Sequence, residues 1–160
     1  MSEFDAAMSV VDSVITEFEE AQNKMRDALK EHMKTLFSAF FKVHPEVKTI
    51  HWVQYTPYFN DGDECVFGVH ELQFTTTHHE EIDNAWGEDD AGALNESEYD
   101  FTARKWVSRG LDPVLVADMR SMGEVFSSRI DDSLMRAAFG DHSWIKAHAG
   151  GFDVEHYDHE

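Results

Sequence analysis

From Met8 to Val43 residues return at alternating steps of three and four, and that regularity commits the first quarter of the chain to one kind of structure. Met8, Val11, Ile15, Phe18, Gln22, Met25, Leu29, His32, Leu36, Ala39 and Val43 form the series. It is a 3.5-residue repeat, the mark of a helical seam sustained over about five heptads. A single helix over residues 3–43 would be about 60 Å long at 1.5 Å per residue. That is more than the rest of a 160-residue chain can cover. Either the helix breaks near Gln22 and Asn23 into a hairpin, or it stays whole and pairs with a second copy. Polar Gln22 and His32 suit a register-setting role in a dimer as well as a bend. Self-association through Met8, Val11, Ile15, Phe18, Gln22, Met25, Leu29, His32 and Leu36 is the expectation.

Pro45 ends this helix, because the residue before a proline is pushed out of helical geometry. Residues 47–58 are rich in β-branched and aromatic side chains and predict a strand. Asn60, Asp61, Gly62 and Asp63 predict a turn, and residues 65–76 the returning strand, with His70 placed by alternation on the face of Val66 and Phe74. Residues 78–97 lack periodicity and predict an acidic loop. Residues 98–109 predict a short helix stopped by Gly110. Asp112 and Pro113 are a strong helix start, and the spacing predicts one helix over residues 113–139, closed by Gly140. The tail, residues 143–158, predicts a tight hairpin around Gly150 and Gly151. The expected fold is a single α+β domain over residues 1–160. Its antiparallel four-stranded sheet, made of two hairpins, is covered by the two helices on one face.

Charge narrows the partner. Residues 51–100 hold thirteen acids and no lysine or arginine, within a chain whose formal net charge is −19. A field of that sign repels nucleic acid and anionic membranes and attracts basic surfaces or cations. One cysteine, Cys65, allows no internal disulfide and suits a reducing compartment. The first residues are acidic where a secretory signal is basic, and no apolar run approaches a membrane span. A cytoplasmic location is expected.

Motifs for chemistry are sparse. His78, His79, Glu80 and Glu81 are the densest metal-like cluster, but neighbours in sequence point apart and do not close on one ion. The string from Asn60 to Glu64 departs from the calcium-loop pattern after its second acid. There is no nucleophile elbow, no phosphate-binding glycine loop and no basic patch with interleaved aromatics. No catalytic residue, metal or cofactor is expected.

The hairpin string from His51 through Asp63, with Trp52, Gln54, Tyr55, Thr56, Pro57, Tyr58, Phe59, Asn60, Asp61 and Gly62 in it and Glu64 to Phe67 after it, resembles a family of small acidic proteins of tailed phages and bacteria. Phe139 to His142 and Tyr157 to Glu160 are similar to it too. The resemblance transfers no activity, but implies a protein that acts on a host protein. Joined to the charge, it gives the functional expectation: a non-enzymatic inhibitor occluding a basic, nucleic-acid-binding surface of a host or defence protein. The expected contact residues are Asp61, Asp63, Glu64, Glu71, Glu80, Glu81, Asp83, Glu88, Asp89 and Asp90, with Tyr58, Phe59 and Trp86 as aromatic anchors. The alternatives are a dimeric scaffold with a solvated acidic surface, and a divalent-metal or small-molecule binding module.

Overall fold

The computed structural model of the chain describes residues 2–58, 62–87 and 90–158. Ser2 starts the first helix with a reciprocal cap. Its hydroxyl accepts from the Asp5 amide and its own amide donates to the Asp5 carboxylate, both at 3.1 Å, which satisfies two amides the helix leaves open. Helix α1 then runs unbroken over Glu3–Val43, so Gln22 and Asn23 mark no bend. His44 ends it, donating its amide to Phe40. Its ring lies 2.6 Å from the Asp118 carboxylate.

The seam is not the face that α1 buries. Met33, Phe37, Phe40 and Phe41 are buried, whereas Phe18 is 63% exposed, Leu36 41% and Val43 63%. At 3.6 residues per turn these two sets lie roughly a quarter turn apart around the helix. The C-terminal half of α1 therefore covers the core with one flank. The whole N-terminal half extends past the body of the molecule.

The strands are β1 (Thr49–Tyr55), β2 (Gly68–Val69), β3 (Gln73–Thr75), β4 (Ser97–Asp100), β5 (Lys105–Ser108), β6 (Ser143–His148) and β7 (Gly151–His156). The two expected hairpins join edge to edge into one antiparallel sheet in the order β2-β1-β6-β7, with β3 also on β1. The sheet has five strands because the return from β1 is interrupted. His70 donates to the Val53 carbonyl, whereas Gln73 is the partner of His51. Two steps on β1 thus face three on the return, and the extra residue reverses the alternation. Phe74 enters the core while His70 stacks on Tyr55 across the opposite face, which corrects the expected placement of His70. Cys65, Val66 and Phe67 precede the paired segment and are not part of a strand.

Two further expectations are corrected. Residues 98–109 form the hairpin β4–β5 instead of a helix, because Tyr99 opposite Trp106 gives a cross-strand aromatic pair, 5.6 Å between rings. Asp100 fixes the turn by accepting from the amides of Thr102 and Ala103. The expected helix over residues 113–139 is two: α2 (Pro113–Glu124), which passes into a π-helical turn at Val125–Arg129, and α3 (Asp132–Phe139). Ile130 is extended there, and Asp131 caps the new helix by accepting from the Ser133 amide. The expected start at Asp112 and stop at Gly140 both hold: Asp112 accepts from Val114, and Gly140 takes a positive φ of 88°.

The core lies between the helices and one face of the sheet. At its centre Trp52 is fully buried, with the rings of Phe37, Phe126, Phe139 and Phe152 within 6.4 Å of its own. Gln54 is equally buried and satisfied. It accepts from the Trp52 indole and donates to the carbonyls of Met135 and Gly140 at 3.0 and 2.7 Å, which ties α3 to the sheet. No helix among the described residues is long and apolar enough to cross a membrane.

Candidate functional site

The second face of the sheet carries what the first does not: histidines, aromatics with polar edges, and a buried lysine. Because side chains alternate along a strand, β1 turns His51 and Tyr55 to this side, and β6 turns Trp144, Lys146 and His148. The segment between β3 and β4 folds back over them as a third layer. Buried Ile82 belongs to this layer and stands outside the main core.

Asp90 holds the layer down. Its carboxylate accepts from the hydroxyls of Thr75 and Thr77 at 2.5 and 2.6 Å and from the Gly92 amide at 2.8 Å. Burial alone would raise its pKa, but these three donors outweigh that and hold it below the usual value. Gly92 is required here, since a Cβ would lie 2.4 to 2.9 Å from the hydroxyls of Thr77, Thr76 and Thr75. Gly92→Ala is therefore expected to cost about 1–3 kcal/mol by overpacking. The readout is faster amide exchange confined to residues 76–94, with α1 protected as before.

His51 sits beneath this layer, fully buried. The Trp144 indole donates to its Nδ1 at 3.2 Å, so the neutral ring carries its proton on Nε2, which has no hydrogen-bond partner among the described residues. Burial lowers its pKa to about 4, against the smaller pull of the Asp90 carboxylate. Lys146 is buried too. Its ammonium lies 3.9 Å from the centre of the Trp144 ring and 3.4 Å from Glu155, and donates to the His79 carbonyl.

His79, His148 and Asp153 are brought together from three elements, a constellation that no spacing in the sequence discloses. His79 and His148 each place Nε2 near one Asp153 oxygen, at 3.1 and 3.3 Å. Their donor atoms are close enough for a metal, but the ring planes are not suited to one. The imidazoles are stacked, 3.8 Å apart and 10° from parallel. The in-plane lone pairs therefore run side by side and do not converge as a tetrahedral site needs. The Gly150 amide also donates to His148 Nδ1, which puts the proton of the neutral ring on the nitrogen that faces Asp153. The arrangement is that of two imidazoles sharing a carboxylate.

Beside these groups a cleft of about 950 Å³ opens between the covering layer and the end of β7. Glu81, Asp83 and Asp158 line it with Trp86, Trp144 and Tyr157, and no lysine or arginine among the described residues is in its wall. Trp86 meets His70 and Tyr157 edge-on, at 5.1 and 6.0 Å between rings. Burial raises the Tyr157 hydroxyl above its ordinary value, so it stays neutral. Carboxylates beside the Trp86 and Tyr157 rings suit a cation, which the rings attract through their quadrupoles, while the Trp144 ring already carries the Lys146 ammonium on one face.

Of the expected contact residues, the structure gathers Glu81, Asp83, Trp86 and Asp90 at this cleft, with Asp90 engaged internally. Glu80 is exposed beside His79. Glu71 lies on a different groove, against α2, where Arg120 pairs with Glu96 at 2.5 Å. Asp63 and Glu64 are exposed on the connection from β1 to β2, and Tyr58 stacks on His142. Phe59, Asp61, Glu88 and Asp89 lie outside the described residues. Trp144, Tyr157 and Asp158 were not foreseen; they arrive because β6 pairs with β1, a long-range contact with no local signal. Compared with protein-family models, with curated proteins and with solved structures, the chain gives no match.

Proposed function

We propose that this chain is a non-enzymatic interaction protein that grips a basic surface of a partner protein, its cleft taking a lysine or arginine side chain of that partner. The observation that carries the reading is the cleft wall: four carboxylates, of which Asp90 is engaged internally, and three aromatic rings, with no lysine or arginine among the described residues that line it. The charge supports it, since a chain at −19 is drawn to cationic surfaces and steered away from nucleic acid. A partner surface that otherwise holds nucleic-acid phosphates is of the right sign. The resemblance to small acidic phage proteins points to a host or defence protein as its bearer.

A tetra-arginine peptide is the probe. It is expected to quench tryptophan emission at low ionic strength and to bind about tenfold more weakly or worse in about 0.3 M salt, because exposed charge pairs are screened. Neutralising the wall with Glu81→Gln, Asp83→Asn and Asp158→Asn should remove most of the binding, while Asp63→Asn with Glu64→Gln leaves it. Equal binding to the neutralised wall, or affinity that ignores salt, overturns the proposal.

A further inference from the structure

We infer that two copies of this chain pair along α1 in antiparallel orientation, the N-terminal half of each helix lying against the C-terminal half of the other. This does not rest on the cleft. Among the 41 residues of α1 only Met33, Phe37, Phe40 and Phe41 are buried. Residues 3–25 are all exposed, including Phe4 at 73% and Phe18 at 63%, and contact with the body begins only where Leu29 lies half-buried against the core and Lys30 over the Phe139 ring. Helices draw most of their stability from packing one face, and this half packs on nothing in its own chain. Nor does the seam stop where the body begins. Leu36 and Val43 remain exposed roughly a quarter turn from the buried flank, so the apolar stripe spans the full helix and fits a partner as long as α1 itself.

Charge selects a second copy and its direction. Residues 3–20 carry six acids and no base, whereas residues 24–43 carry five bases and two acids. Parallel pairing would set −6 against −6. Antiparallel pairing sets −6 against +3 twice, and also opposes the two helix dipoles. With Gln22 of one copy opposite the partner's Met25, the seam is covered from end to end: Phe4 meets the partner's Val43, Met8 the partner's Ala39, and Phe18 the partner's Leu29. Flanking positions follow. Glu19 comes beside the partner's Arg26, which within its own chain pairs with its neighbour Asp27 at 3.1 Å. On the other flank Ala21 meets the partner's Ala28, which lets the helices approach closely. At Ala39 the surface is hollow between Lys34 and Lys42, leaving room for the longer Met8 side chain.

The test uses the full chain with Cys65→Ser, so that introduced thiols are the only ones. Sedimentation is expected to give a dimer at micromolar concentration. Oxidising a mixture of Met8→Cys and Ala39→Cys proteins should join position 8 to position 39, while Met8→Cys protein alone should not cross-link. Its two thiols would be about 46 Å apart at 1.5 Å per residue. Glu19→Lys should weaken the dimer severalfold, and adding Arg26→Glu should restore it, since the two charges are exchanged together. All these positions are outside the core, so the fold is unaffected. A monomer, self-cross-linking by Met8→Cys protein alone, or a dimer that does not join 8 to 39 would each overturn the inference.

Discussion

Trp52→Ala is expected to lower folding stability by roughly 3–5 kcal/mol, the range for removing a large buried aromatic. Its side chain is fully buried, and four phenylalanine rings surround it, from α1, the π-helical turn, α3 and β7. Truncation leaves a cavity that four elements border, and it strands the Gln54 side-chain oxygen that the indole bonds. Urea unfolding checks the size. Trp106→Ala is the matched control, since that ring is 69% exposed on the β4–β5 arm, and surface changes usually stay within about 0.5 kcal/mol. Equal losses for the two variants would mean that the core is not centred on Trp52.

The second large effect is a loss of stability in mild acid that passes through His51. In the unfolded chain this imidazole takes up a proton near pH 6.5, whereas burial delays protonation in the folded protein to about 4. Its contribution is therefore complete above pH 6.5 and is lost progressively as the pH falls from there toward 4. A gap of that width corresponds to roughly 3 kcal/mol. Many carboxylates titrate lower in the same interval, so the measurement is a difference. The fall in urea midpoint between pH 7 and pH 4.5 should be markedly smaller in His51→Gln, whose amide oxygen can still accept from the Trp144 indole. An unchanged fall would remove His51 as its source. The covering layer above His51 is expected to loosen first, because it stands outside the main core, whereas the C-terminal half of α1 is anchored in it.

Local chemistry was legible in the sequence at several element ends, though not at the Asp100 turn or the Asp131 cap. The cap at Asp112, the stop at Gly140 and the hairpin around Gly151 depend on residues within a few positions of each other, and all are found as expected. The length of α1 was also readable, but its orientation was not. The seam of Met8, Ile15 and Phe18 is the strongest periodic signal in the chain, yet the core takes Met33, Phe37 and Phe41 from another flank. Periodicity reports that a face is apolar and not what it meets. The β4–β5 arm was misread because Glu98 to Arg109 has helix-tolerant composition, and the aromatic pair Tyr99–Trp106 outweighs that propensity only once the strands are opposed. The cleft was half visible: Glu81, Asp83 and Trp86 are close in sequence, whereas Trp144, Tyr157 and Asp158 reach them only through sheet pairing.

The central seam of the sheet joins Ile50 to Ala147 and Gln54 to Ser143, so β1 lacks its main neighbour until nearly the whole polypeptide has been translated. At about 5–20 residues per second, the interval between synthesis of β1 and of β6 is about 5–20 s. Throughout it the nascent chain carries Ile50, Trp52 and Val53 with one long edge open. Contacts of such sequence separation also close slowly in refolding. Production of this protein should accordingly favour low temperature and slow translation, which limit the concentration of chains caught with that edge unpaired.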